Sequence, residues 1–184
     1  MTLSRKMSLC VLVVVLLASC GGGGSKTVDP KTYVHSVCGA ILDWVNAAKQ
    51  NSTQLQQITP SGSTAADAKA ALGKYIDNLV TATGAALDKL KATGVPDVQN
   101  GESVRSALVD SFQSVQAAFT KARQTISNLP TSSRSAFQTA TQKLGATLQT
   151  SLQGIGSSLN KIGEDPTLVK ASNDDPSCQQ LGSL

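Results

Sequence analysis

The sequence has few of the residue types that most often perform catalysis or hold a metal. It has one histidine, His35, two glutamates, Glu102 and Glu164, and two methionines, both among its first seven residues. General acid–base sites usually need a positioned histidine or carboxylate with a partner, and di-iron helical bundles need Glu-x-x-His pairs, which are absent. A Cys-x-x-Cys-His haem motif and a Gly-x-Ser-x-Gly nucleophile motif are absent too. We therefore expect no cofactor, no metal and no enzymatic activity.

Aromatic and charged residues are also scarce, at 3% and 15% of the chain. No basic block interleaved with aromatic residues occurs, which excludes the usual electrostatic footprint of a nucleic-acid-binding protein. The formal net charge is +4, and about +2 without Arg5 and Lys6. Surface positions are filled mainly by serine, threonine, glutamine, asparagine and alanine. We therefore expect no nucleic acid partner.

Long hydrophobic runs are limited to residues 9–18, which follow Arg5 and Lys6 and precede small residues. This order is typical of an export signal, here residues 1–19, which we expect to be removed. A membrane-spanning helix needs about 20 apolar residues. A permanent transmembrane segment is therefore the weaker interpretation.

The end of the signal, Leu17, Ala18, Ser19 and Cys20, resembles the lipobox of bacterial lipoproteins. That resemblance implies that Cys20 receives a diacylglycerol, becomes the first residue after cleavage and carries fatty acyl groups such as palmitate. Two or three acyl chains suffice for stable anchoring. Residues 20–30, with four glycines after the cysteine, are then expected to be a flexible tether. The predicted location is the outer face of the cell membrane.

Two cysteines, Cys38 and Cys178, remain when Cys10 leaves with the signal and Cys20 carries lipid. In an exported protein such a pair favours a disulfide. The alternative is two buried free thiols. The bond would join the first helix to the C-terminal segment and close a loop spanning most of the folded domain.

Apolar residues recur at steps of three and four along residues 31–184, the spacing of amphipathic helices. Predicted helices run over residues 31–58, from Thr64 to a stop at Gly94–Pro96, from Asn100 to a stop at Leu129–Pro130, and over 132–162. The last has the most regular apolar stripe: Phe137, Leu144, Leu148, Leu152, Ile155, Leu159 and Ile162. Short connections favour antiparallel neighbours. We therefore predict an all-α, antiparallel up-down-up-down four-helix bundle over residues 31–184.

The stretches "VCGAILDWV", "GVPDVQNGESVRSALVDSF" and "LGATLQTSLQGIGSSL", with Cys178 near the end, resemble the small, Cys-bracketed helical lipoproteins of high-GC Gram-positive bacteria. The resemblance implies location and fold rather than activity. We therefore expect a non-enzymatic binding or interaction module for an envelope protein. Trp44 is a possible partner contact, although a residue covering a seam between helices is the commoner role.

Two other functions remain open. In a carrier, the bundle would hold a small apolar ligand; an open apolar cavity of about 300 Å³ or more would favour this function. An enzyme of unfamiliar type would need converging carboxylates, and Asp43, Asp77, Asp88 and Asp110 are expected to face water instead. The same is expected of His35 and of the acidic turn at residues 173–175.

Overall fold

The computed structural model describes residues 26–58 and 64–183, with side chains at residues 54–58 excepted. The predicted signal and the predicted lipidation site, Cys20, lie outside these residues. In the described ranges the elements are β1 (Thr27–Val28), α1 (Pro30–Ile58), α2 (Ala65–Ala92), β2 (Val95–Pro96), α3 (Gly101–Ser127), α4 (Arg134–Gly163), α5 (Pro166–Asp174) and α6 (Pro176–Gly182).

The four long helices begin and end close to the predicted residues, which confirms the helical prediction. Thr64 and Asp67 form a capping box at the start of α2, and the Ser133 hydroxyl caps α4. Each cap satisfies backbone N–H groups that a first helical turn leaves unpaired. Asn100 does precede α3, but its side chain makes no capping hydrogen bond.

Helices α1, α2 and α3 supply most of the hydrophobic core. The Phe112 side chain is fully buried on α3, and its ring meets Trp44 of α1 edge-on at a centroid distance of 5.5 Å. The indole N–H of Trp44 donates to the hydroxyl of the buried Thr83 on α2 at 2.9 Å. One aromatic contact and one hydrogen bond therefore join three helices at a single level of the core.

The folded domain begins before residue 31, which corrects the predicted tether boundary. Thr27 and Val28 pair in parallel with Val95 and Pro96, and the carboxylate of Asp29 accepts hydrogen bonds from backbone amides in the first turn of α1. Residues 26–30 thus belong to the domain. These residues have too few apolar side chains to show helical periodicity, so only the pairing with β2 reveals that they belong to the domain.

A closed four-helix bundle is not confirmed. Helix α4 packs along α3 and touches α5, whereas α1 packs against α2, α5 and α6. Within the described residues no extensive seam joins α1 to α4. The stripe predicted to face the core from α4 is accordingly only partly buried: Leu144 and Ile155 are buried, but Leu152 is exposed. One neighbouring helix cannot cover a stripe of that width.

Helices α5 and α6 pack against α1, on the side that α4 would cover in a closed four-helix bundle. Leu168 of α5 is fully buried. The predicted disulfide is confirmed: Cys38 of α1 is bonded to Cys178 of α6, with a Cα–Cα distance of 5.1 Å. Within residues 26–58 and 64–183, no helix is both long and apolar enough to cross a membrane.

Candidate functional site

A groove with a volume of about 490 Å³ lies between α3 and α4. Small side chains line it on both helices, Ala118 and Ala122 on α3 and Ala140 on α4, together with Leu144 and Leu148 of α4. Its full lining is Ala118, Lys121, Ala122, Thr125, Ala140, Lys143, Leu144, Thr147, Leu148 and Ser151. The groove is open to solvent and largely apolar.

Polar contacts join the two helices beyond one end of the groove. There the Ser158 hydroxyl of α4 donates to the carbonyl oxygen of Ala107 at 3.0 Å and also contacts the Ser111 hydroxyl of α3. The pairing of residues 107–111 with 158, and of 118–125 with 140–151, makes α3 and α4 antiparallel. Polar contacts thus close one part of the seam and leave the other open.

The charge around the groove is positive. The exposed Lys121 and Lys143 are the charged members of the lining, which contains no carboxylate. Helix α4 as a whole carries Arg134, Lys143 and Lys161 and no acidic residue. A ligand with a negative charge at one end is therefore favoured electrostatically over a neutral or cationic one.

A second cluster lies where α6 begins. The side chain of Asp175 is buried and caps α6, accepting hydrogen bonds from the backbone amides of Ser177 and Cys178 at 2.9 and 3.1 Å. Its other oxygen lies 2.8 Å from Nδ1 of His35. Because a carboxylate is an acceptor, Nδ1 carries the hydrogen in this contact.

Two opposing effects set the pKa of Asp175. Desolvation by burial raises it, but the hydrogen bonds from His35 and from the two amides outweigh burial, so that the pKa lies below its ordinary value of 3.8. The expectation that residues 173–175 form a solvated acidic turn is therefore wrong for Asp175. The His35 side chain is 71% exposed, as expected, yet it is anchored to this carboxylate.

A cavity of about 370 Å³ opens to solvent beside this contact. It is lined by Lys31, Thr32, His35, Ala171, Asp174 and Asp175. Sequence reasoning missed both this cavity and the pairing of residues 35 and 175. A local signal was present, because Asp165-Pro166 and Asp175-Pro176 each combine a preferred N-cap residue with proline at the first helical position.

The other residues singled out from the sequence occupy structural positions. Trp44 is half-buried at the edge of the core, with its N–H bonded internally; a partner contact through it stays a prediction. Asp43 pairs with Lys89 at 2.7 Å and Asp77 with Arg123 at 2.6 Å. In the part of the chain that the structure describes, these carboxylates form no cluster of three ligating groups.

Comparisons with family models, curated proteins and solved structures found no match to this chain.

Proposed function

We propose that this protein is a non-enzymatic binding module, anchored through lipid on Cys20 to the outer face of the cell membrane, and that it carries an amphiphilic ligand. The ligand has an apolar body and an anionic end. The observation that carries the proposal is the open, largely apolar groove between α3 and α4.

The groove has the size and the chemistry of a ligand site. Ligand-binding cavities range from about 300 to 1,000 Å³ and combine apolar walls with a few polar groups. At about 490 Å³ the groove falls within this range. An open apolar cavity of about 300 Å³ or more was the feature expected of a carrier, and the groove has this size. This favours the carrier over a module that docks only on proteins.

The position of the lysines defines the ligand further. An apolar body would lie along Leu144 and Leu148, while a carboxylate or phosphate would reach the ammonium groups of Lys121 and Lys143 near the opening. An acidic side chain in the lining would repel such a group, and the lining has none. These features support an anionic amphiphile rather than a purely apolar molecule.

The packing of α4 supports ligand uptake. Leu144, Ile155 and Ser158 are its only buried side chains, and most of the apolar stripe is partly exposed. Because so little of α4 is buried, a small outward shift costs less hydrophobic free energy than in a closed bundle. A ligand that covers the stripe would regain that free energy by burying more apolar surface.

The groove lies away from the end of the domain where the described chain begins. Lys26 lies six positions after Cys20, so the chain between them spans at most about 22 Å. Ala118 lies 17 residues into α3, roughly 26 Å along the helix from Gly101, which is next to the strand that pairs with β1. A ligand in the groove would therefore be exchanged on the outward side of the domain.

Mass spectrometry of the protein from its native membrane tests the anchor. We expect an amino terminus at Cys20 that carries diacylglycerol and an amide-linked acyl chain. A Cys20→Ala variant should lack this modification. An unmodified amino terminus in the native protein would refute the anchoring.

Displacement of a fluorescent fatty acid tests the groove, with hexadecanoate and hexadecanol as competitors. Hexadecanoate should bind more tightly. Ala140→Leu should fill part of the groove and weaken binding about tenfold or more, whereas Ala146→Leu, at an exposed position of the same helix outside the groove, should leave it unchanged.

Charge variants separate the two ends of the ligand. Lys121→Gln with Lys143→Gln should abolish the preference for hexadecanoate, and Lys161→Gln on α4 should retain it. No saturable binding of either competitor would rule out the carrier. Specific crosslinking of α3 and α4 to one envelope protein, without lipid binding, would support the interaction module instead.

A further inference from the structure

Two pairs of potential metal ligands face each other where α1 meets α6. His35 and Cys38 are three residues apart on α1, and Asp175 and Cys178 are three residues apart at the start of α6. Residues at this spacing lie on one side of a helix. Both Sγ atoms and a carboxylate oxygen of Asp175 lie within 4.8 Å of one another, and Nδ1 of His35 is 2.8 Å from Asp175 Oδ2.

These four side chains have the composition of a zinc site. Zinc is bound tetrahedrally by thiolate, imidazole and carboxylate, at about 2.3 Å from sulfur and about 2.0 to 2.2 Å from nitrogen or oxygen. Such a tetrahedron holds its ligand atoms roughly 3.3 to 3.8 Å apart. The two Sγ atoms and the Asp175 oxygen already lie within 4.8 Å of one another, so small side-chain rotations bring them to these distances. The His35 ring lies outside this group of three but contacts Asp175 through Nδ1 at 2.8 Å, and it must turn toward the sulfurs to become the fourth ligand. Thiolates select zinc over calcium or magnesium.

We propose that the chain, when the disulfide between Cys38 and Cys178 is reduced, binds one Zn²⁺ through Cys38, Cys178, His35 and Asp175. While the sulfurs are bonded to each other they are not thiolates, so the disulfide form does not bind the ion at this site. The redox state of one bond therefore selects between a covalent and a metal crosslink at the same place.

A dithiol protein can act as the reductant of the disulfide. The dithiol transfers two electrons and two protons to the S–S bond, which becomes two thiols, and is itself oxidised to a disulfide. Zn²⁺ then displaces both thiol protons to solvent and binds the two thiolates. The hydrogen on Nδ1 of His35 moves to Nε2, which frees the Nδ1 lone pair for the metal.

The helix cap can persist in this arrangement. Asp175 uses Oδ1 to accept the amides of Ser177 and Cys178, and Oδ2, which now contacts His35, is the oxygen left for the metal. The cavity lined by His35 and Asp175 gives an ion access from solvent to these two side chains. Zinc would also replace the crosslink lost on reduction, because binding to a folded site stabilises the fold.

Cobalt titration of the mature chain tests the site. The protein is reduced with a phosphine, which leaves no competing thiol, and Co²⁺ is added as a spectroscopic substitute for Zn²⁺. We expect thiolate-to-cobalt charge-transfer bands and intense tetrahedral d–d bands that saturate at one ion per chain and disappear when Zn²⁺ is added. The disulfide form should give neither band.

Conservative variants separate a four-ligand site from chance binding by two thiols. Asp175→Asn keeps an N-cap residue, and His35→Gln keeps a polar side chain; each should weaken Zn²⁺ binding by the reduced chain about tenfold or more. Asp174→Asn, which changes another carboxylate of the same cavity, should bind like the unaltered chain.

Stability gives an independent measurement. Zn²⁺ should raise the urea midpoint of the reduced chain and leave that of a Cys38→Ser, Cys178→Ser variant unchanged. The proposal is overturned if the reduced chain shows no thiolate–cobalt band, if Asp175→Asn and His35→Gln bind as tightly as Asp174→Asn, or if reduction removes helicity that Zn²⁺ does not restore.

Discussion

The disulfide between Cys38 and Cys178 should contribute a large part of the stability of this domain. The two residues are separated by 140 positions, so the bond constrains nearly the whole unfolded chain. For a loop of this length the chain-entropy model gives a loss of about 5 kcal/mol in the free energy of unfolding when both cysteines are replaced by alanine. Natural domains have only about 5 to 15 kcal/mol in total.

The first segment to lose protection should be α6. None of its side chains is buried, and its non-covalent attachment rests largely on the bond between Asp175 and His35 and on the partly buried Leu181. In contrast, α5 inserts the fully buried Leu168 into the core. Hydrogen exchange in the double alanine variant should therefore accelerate in α6 more than in α5.

Urea denaturation followed by far-UV circular dichroism measures the global effect. Without added zinc, the unaltered chain in reductant should match the Cys38→Ala, Cys178→Ala variant, and reductant should not change that variant further. A loss below about 1 kcal/mol, with the same urea dependence, would refute the loop-entropy argument. Unchanged hydrogen exchange in α6 would refute the expected order of unfolding.

Three further predictions concern single residues. Thr83→Val removes the acceptor of the Trp44 indole N–H and should lower the free energy of unfolding by about 1 to 2 kcal/mol in urea denaturation. Because the folded pKa of Asp175 is below 3.8, its ionised form adds stability above that pH, which is lost as the pH falls through the folded value; Asp175→Asn should therefore lose less stability on acidification. Gly94 has φ 88°, and a Cβ there would lie 2.4 Å from a carbonyl oxygen. Gly94→Ala should therefore cost more than about 1 kcal/mol, whereas Gly145→Ala on α4 should stabilise by about 0.5 to 1 kcal/mol.

Each of these three predictions would be contradicted by a specific result. Unchanged stability of Thr83→Val would mean that the indole N–H finds water at no cost. If Asp175→Asn and the unaltered chain lost the same stability on acidification, protonation of the Asp175 carboxylate would not contribute to acid unfolding. A stable Gly94→Ala variant would show that β1 and its preceding residue can move away without loss.

The candidate sites depended on tertiary structure to different degrees. Both cysteines were recognisable from the sequence, because an exported chain favours pairing of the cysteines that remain. The contact between His35 and Asp175 was not, since two residues 140 positions apart give no local sign of their proximity. The groove between α3 and α4 was equally hidden: its alanines and lysines look like ordinary helix surface until the neighbouring helix is placed.

The sequence alone determined the four long helices and most of their ends. Amphipathic spacing and caps such as Thr64 with Asp67 involve residues no more than four positions apart, so the physics that fixes them is local. Only the tertiary structure decided which helix faces were covered. An apolar stripe specifies that a surface prefers burial but not by which partner; here α5 and α6 cover α1, and α4 keeps part of its stripe exposed.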